Sequence, residues 1–129
     1  MEEALFLIGR IIAGGFYIFN GANHYMNLKE MSGFAEAKGV PVPALATLVT
    51  GLMMIVGGAS VLLGIYPDVG VALIVAFLLP AAFIMHNFWA IDDPQMKMFQ
   101  MIFFMRNLGL AGSALMFLMI PEPWELALG

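Results

Sequence analysis

The 129-residue chain is 62% hydrophobic and 11% charged, with a formal net charge of −4 and no cysteine. So short a chain cannot hide that much apolar surface in a water-solvated core, where about 25% charged residues is usual; this excludes a soluble globule and makes lipid the better solvent for a single domain. The acidic balance excludes nucleic acid as a partner, five basic residues form no polybasic strip, and the lack of cysteine excludes disulfides, thiolate metal sites and thiol exchange.

The first apolar stretch runs from about Ala4 to Asn23. Met1-Glu2-Glu3 carries the wrong charge for a secretory signal, so this stretch is expected to be retained. On a helix Arg10, Tyr17 and His24, spaced seven apart, form one stripe with Gly14, Gly21 and, at its edge, Asn20. The opposite face (Ile11, Ile18, Phe19) is hydrocarbon, so the polar stripe is expected to face other helices. Arg10, close to Glu2 and Glu3, is expected to snorkel to the nearer surface. The first connection, residues 24–42, is the longest. Within it Lys29 to Lys38 reads as a short interfacial helix with Met31, Phe34 and Ala35 toward lipid.

Pro43 suits the first turn of a second helix, expected over 43–64. Ile65 to Asp68 leaves room only for a tight turn into a third helix, over 69–88. Pro80 within it removes one backbone bond, so the carbonyl of Ala76 loses that partner. The third connection, Trp89 to Met98, holds Asp92-Asp93-Pro94, which reads as turn chemistry. A fourth helix is expected over 99–120, with Arg106 and Ser113 seven apart; Pro121-Glu122-Pro123 ends it, and Trp124 suits an interface anchor. Gly9-xxx-Ala13, Ser60-xxx-Gly64, Ala72-xxx-Ala76 and Gly109-xxx-Ser113 have the spacing of close helix contacts.

Each stretch is close to the ~20 residues that cross ~30 Å of hydrocarbon. The expected fold is therefore an all-α membrane protein, an antiparallel bundle of four transmembrane helices forming one domain over residues 1–129. It would be multi-pass in a cytoplasmic membrane. Both termini and the second connection would share one face, side A; the first and third connections would lie on side B. Lys29, Lys38 and Lys97 fall on side B, which the positive-inside rule assigns to the cytoplasm.

The segment His86-Asn87-Phe88-Trp89-Ala90, then Asp92-Asp93-Pro94-Gln95, then Phe103-Phe104-Met105-Arg106-Asn107, resembles the DoxX family of four-helix membrane proteins. Arg10 early in the first helix, Gly39-Val40-Pro41 and the paired Gly57-Gly58 agree with it. The chain departs from the family pattern at Met53-Met54, where many members have a glutamate, and at His24, where many have lysine. The resemblance implies the fold, and it implies a link to membrane subunits of thiosulfate:quinone oxidoreductases and quinol oxidases or to redox-stress proteins.

Polar groups inside a bilayer are costly, about 2.5–3.5 kcal/mol for a charge on the mildest scale, so they mark candidate sites. Helix ends place His24, His86, Asn20, Asn87, Arg106, Asn107 and Trp89 at one end of the bundle, on side B, with Tyr17 on the same stripe. No acidic residue in the helices balances Arg106. A cationic, amide-rich pocket with aromatic walls suits an anion or a carbonyl-bearing head group: quinone, lipid phosphate or a sulfur oxoanion. The competing reading has these groups satisfying one another and holding helices in register, as expected for Arg10 and Ser113.

His24 and His86 at similar depth also permit a haem reading, the least favoured because two histidines alone are weak grounds. Twelve scattered methionines read as core or lipid-facing filler rather than a copper site, so no metal is expected. No catalytic triad, paired carboxylates or phosphate loop is legible. The expected function is a small membrane subunit of a quinone-linked redox assembly, in contact with lipid and a redox partner or a second copy. The rivals are a membrane anchor for a redox or stress protein, and a small transporter or lipid-binding protein.

Overall fold

A computed structural model describes residues 1–128, and among them it is entirely helical. In chain order come α1 (Glu2–Met26), α2 (Leu28–Ala37), α3 (Pro43–Leu63), α4 (Pro67–Met85), a 3-10 turn (Phe88–Ala90) and α5 (Pro94–Phe117). α3, α4 and α5 each open on a proline in the first turn, where a missing N–H costs nothing. α3 stops at Gly64, whose φ of 71° suits glycine and lets its N–H close on the Ser60 carbonyl. Ser60 Oγ lies within hydrogen-bond reach of the carbonyls of Ile65 and Tyr66 and shares its one proton between them, which holds the turn into α4.

Two boundaries move from the sequence expectation in ways that matter. α4 ends at Met85, so His86 is a cap and Asn87 lies beyond the helix. α5 starts at Pro94, not near Phe99, because the Asp93 carboxylate accepts from the Met96 N–H and caps the helix there. Lys97 thereby sits in the first turns of α5.

Three segments are long and apolar enough to cross a membrane: Glu2–Met26, Pro43–Leu63 and Pro67–Ala90. α5 is not among them; Gln95, Lys97, Gln100, Arg106 and Asn107 lower its apolarity.

The buried residues of α1 are Arg10, Gly14, Tyr17, Gly21 and His24, the stripe read from spacing. Its glycines set how closely α1 approaches α3. A Cβ on Gly21 would lie 2.5 Å from the Gly51 carbonyl oxygen, and one on Gly58 would lie 2.7 Å from that of Gly14. α3 meets α4 in the same way at Gly57 and Gly70. By contrast a Cβ on Gly9 or Gly109 would meet nothing within 4 Å, so Gly9-xxx-Ala13 and Gly109-xxx-Ser113 are not the contacts their spacing suggested. Tyr17, Met54, Val61, Ile74 and Leu78 fill the centre, with Ala111 and Ala114 of α5 closing it.

Close packing runs from α1 to α3, α3 to α4 and α4 to α5; α1 and α5 are not a closely packed pair. They are joined at the side A end instead. The Trp124 ring sits edge-on to Phe6 of α1 (5.3 Å) and to Phe117 of α5 (6.5 Å).

Arg10 corrects the snorkelling expectation. It is 3% exposed, and its guanidinium donates to the carbonyls of Val61 (3.3 Å) and Leu62 (2.9 Å) at the end of α3, and of Glu125 (2.5 Å) and Leu126 (3.3 Å) in the C-terminal segment. The last carbonyls of a helix lack internal partners and carry partial negative charge, so an arginine there is doubly favoured. Arg10 ties the C-terminal segment to the bundle and makes no contact with Glu2 or Glu3. α2 departs as well. It packs on α3, and Met31, Phe34 and Ala35 face a cavity in the bundle rather than lipid alone.

Candidate ligand-binding cavity

The side B half of the bundle holds a half-open cavity of about 460 Å³. Its walls are mostly apolar, with Phe16, Met54, Phe77 and Leu110 among them, and α2 roofs it with Met31 and Phe34. Five of the residues expected to form a site line it: Asn20, His24, His86, Arg106 and Asn107. Three do not. Tyr17 is 2% exposed in the core beside the cavity, near Ser113 of α5. Asn87 lies past the α4 cap, where its Oδ1 accepts from Lys38 Nζ at 2.6 Å. Trp89 is 53% exposed and stacks edge-on against Phe88 and Phe104, walling the α4–α5 junction from outside. Ser113 bonds back to the Leu110 carbonyl of its own helix at 2.9 Å.

Tyr17 of α1 lies near Ser113 of α5. Seven residues further along α1 is His24, and seven back along α5 is Arg106, so these two stand at one depth on opposite walls.

His24 is 5% exposed. Its Nδ1 lies 3.0 Å from the Thr47 carbonyl and 3.1 Å from Thr50 Oγ1, while the Thr50 hydroxyl donates to the Ala46 carbonyl at 2.8 Å. A carbonyl only accepts, so Nδ1 carries the proton. The neutral ring then has a bare Nε2 with no protein partner among the described residues. Phe77 packs edge-on to the ring at 5.4 Å.

The opposite wall carries donors. His86 Nδ1 donates to Gln100 Oε1 at 2.7 Å. Arg106 reaches only the Asn107 amide oxygen, through Nε and Nη2 at 3.4 and 3.3 Å, and rests over the Phe103 ring at 5.1 Å. His86 stands 5.5 Å from that same ring, so the two share it. Lys38, from the end of α2, binds Asn87 next to His86. Neither Lys38 nor Arg106 is paired with a carboxylate among the described residues. Most of the five N–H groups of Arg106 therefore remain available. Pro80 and Ala76 also line the cavity, so the carbonyl that Pro80 cannot serve is at its wall.

Sequence reasoning missed Asn23, Thr47, Thr50 and Gln100. Thr47 and Thr50 lie one turn apart at the start of α3, opposite His24, a signal that was present. Gln100 falls within the expected fourth helix, but nothing in the sequence paired it with His86. Among the described residues no group of three or more His, Asp or Glu side chains is arranged to hold a metal ion.

These features define a helical membrane protein with a polar-ended internal cavity. Residues 5–87 match the DoxX family, and the chain belongs to that family. The match runs from α1 to Asn87 and leaves α5, with Arg106 and Asn107, outside it. No curated protein and no solved structure matches the chain.

Proposed function

We propose that this protein is the small membrane subunit of a quinone-linked redox assembly, and that its cavity receives the quinone head group. α5 is read as the fourth crossing: its 24 residues run along α4, and Met101, Ile102 and Met105 are exposed toward lipid. The observation that carries the reading is the pairing of unlike walls at one depth. Arg106 offers N–H donors with no carboxylate to hold them, and His24 offers a bare ring nitrogen. A quinone carbonyl accepts from the Arg106 wall, and a quinol can donate one hydroxyl to His24 while its other oxygen accepts from Arg106. A volume of about 460 Å³ lies in the range of small-molecule sites.

The lining residues fit such a group, which when bound supplies two-electron, two-proton redox capacity. His24 orients a hydroxyl and can take its proton at Nε2, while Nδ1 stays on Thr47. Arg106 and His86 orient the opposite oxygen. The apolar roof of α2 keeps bulk water away and strengthens these contacts.

The test is titration of the protein in nanodiscs with a quinone analogue, followed by intrinsic fluorescence and by calorimetry. Arg106→Ala and His86→Ala each weaken binding about tenfold or more, the loss of one charge-assisted or neutral hydrogen bond in a dry site, while the melting profile is kept. Unchanged affinity in both variants rejects the site.

A further inference from the structure

We infer that the opening between α1 and α5 is a second subsite, which holds the apolar tail of the ligand and admits the ligand from the bilayer. The inference rests on the cavity reading above and adds what class of molecule can use it: a head group carried on a long hydrocarbon tail, rather than a water-soluble anion or a free ring.

The geometry comes from three places along one helix pair. At side A, Trp124 wedges between Phe6 and Phe117 and joins α1 to α5. Midway, Tyr17 lies near Ser113, and Ala111 and Ala114 pack in the same core. α1 and α5 are not a closely packed pair, and towards side B Phe16, Asn20 and Asn23 of α1 and Arg106 and Leu110 of α5 line the same cavity. Phe16 is 40% exposed and Arg106 is exposed, so these lips reach the outside of the bundle. At helical spacing Phe16, Asn20 and Asn23 share one edge of α1, and Arg106, Leu110 and Ser113 share one edge of α5.

The end next to α2 is partly covered. α2 packs across α3 and lays Met31, Phe34 and Ala35 over the cavity. It is tied down on both sides: Asn23 Nδ2 reaches Met31 Sδ at 3.9 Å, and Lys38 Nζ donates to Asn87 at 2.6 Å. A molecule that must come from water meets this roof, and one dissolved in lipid meets an opening. The lips also explain Arg106. An unpaired guanidinium facing hydrocarbon is costly, and a passing carbonyl or anionic head group supplies its acceptor. The cavity also reaches the outer surface of α4 at Ala76, Pro80 and Ile84, but no charged side chain stands on that edge.

The experiment compares two quinone analogues with one ring, the first bearing a decyl tail and the second a methyl group, both expressed per mole of lipid-dissolved ligand. Variants are Leu110→Trp and Phe16→Trp, one on each lip, and Ile84→Trp on the α4 surface. Overfilling a fitted space lowers affinity about five- to a hundredfold. The expected result is that the ratio of decyl to methyl affinity falls by that factor in both lip variants and is not lowered by Ile84→Trp. Two variants on different helices guard against one that misfolds. Equal effects on both analogues, or a loss confined to Ile84→Trp, overturns the tail subsite while leaving head-group binding intact. Failure of both analogues to bind the unaltered protein refutes the head-group site and the tail subsite with it.

Discussion

Gly21→Ala should loosen the bundle and empty the site, and Gly15→Ala on the same helix should do neither. At Gly21 the new Cβ would fall 2.5 Å from the Gly51 oxygen, 2.7 Å from Ile55 Cγ1 and 2.9 Å from Ile55 N. Comfortable separations are about 3.5–4.0 Å, and two of these three atoms are backbone, so no rotamer change relieves the clash. α1 must move off α3 by roughly 0.5–1 Å, a gap that already forfeits a quarter to a half of each contact energy along the seam. Overpacking of this kind costs about 1–3 kcal/mol. At Gly15 a Cβ would meet nothing within 4 Å, and alanine gains up to about 1 kcal/mol of helix propensity. The two variants should therefore differ by about 1–4 kcal/mol, the sum of those estimates. Reversible unfolding in mixed micelles by titrated denaturing detergent reads the difference directly. Since His24 sits one turn beyond Gly21, the same variant should lose quinone-analogue binding. Equal stability of the two variants would show that the glycine seam does not set the α1–α3 distance.

Arg10→Leu leaves four carbonyls without their donor and should destabilise the fold by about 3–5 kcal/mol. It should also free the C-terminal segment, so that a glutamate-specific protease cuts at Glu122 or Glu125 far faster; unchanged protection there contradicts the tether. His24→Leu should cost only about 1 kcal/mol of stability, because Thr50 keeps its bond to the Ala46 carbonyl. Its effect on binding should be selective: the quinol form of an analogue loses about tenfold in affinity, one hydrogen bond's worth, and the quinone form loses less. Equal losses for the two redox forms argue against His24 as the acceptor. Finally, protein purified from membranes should show no Soret band, and its appearance would revive bis-histidine haem ligation by His24 and His86.

Much of the fold was legible because lipid punishes ambiguity: apolar runs of crossing length, prolines at first turns and a polar stripe on one helix edge left few alternatives. The stripe of Arg10, Gly14, Tyr17, Gly21 and His24 is also the buried edge of α1. Two things stayed hidden. A helix cap outweighed hydropathy at Asp93, so α5 began more than a turn early, and the bond from His86 to Gln100 had no signal in the spacing. Spacing alone also could not say which small residues would meet a neighbour. Gly9 and Gly109 satisfy the motif on open edges, while Gly51 and Gly58 do the packing. Arg10 illustrates the limit for charge. Its nearest acids in sequence were a reasonable guess, but the stronger acceptors were the unpaired carbonyls ending α3 and a C-terminal segment more than a hundred residues away.

Photolabelling asks most directly whether the cavity holds a head group. An azidoquinone irradiated with the protein in nanodiscs, followed by peptide mapping, should place adducts on the segment holding Asn20 to His24 and on the one from His86 to Asn107, and an unlabelled quinone should compete them away. Adducts confined to outward positions such as Ile11 and Phe19, insensitive to competitor, would contradict a ligand between those walls.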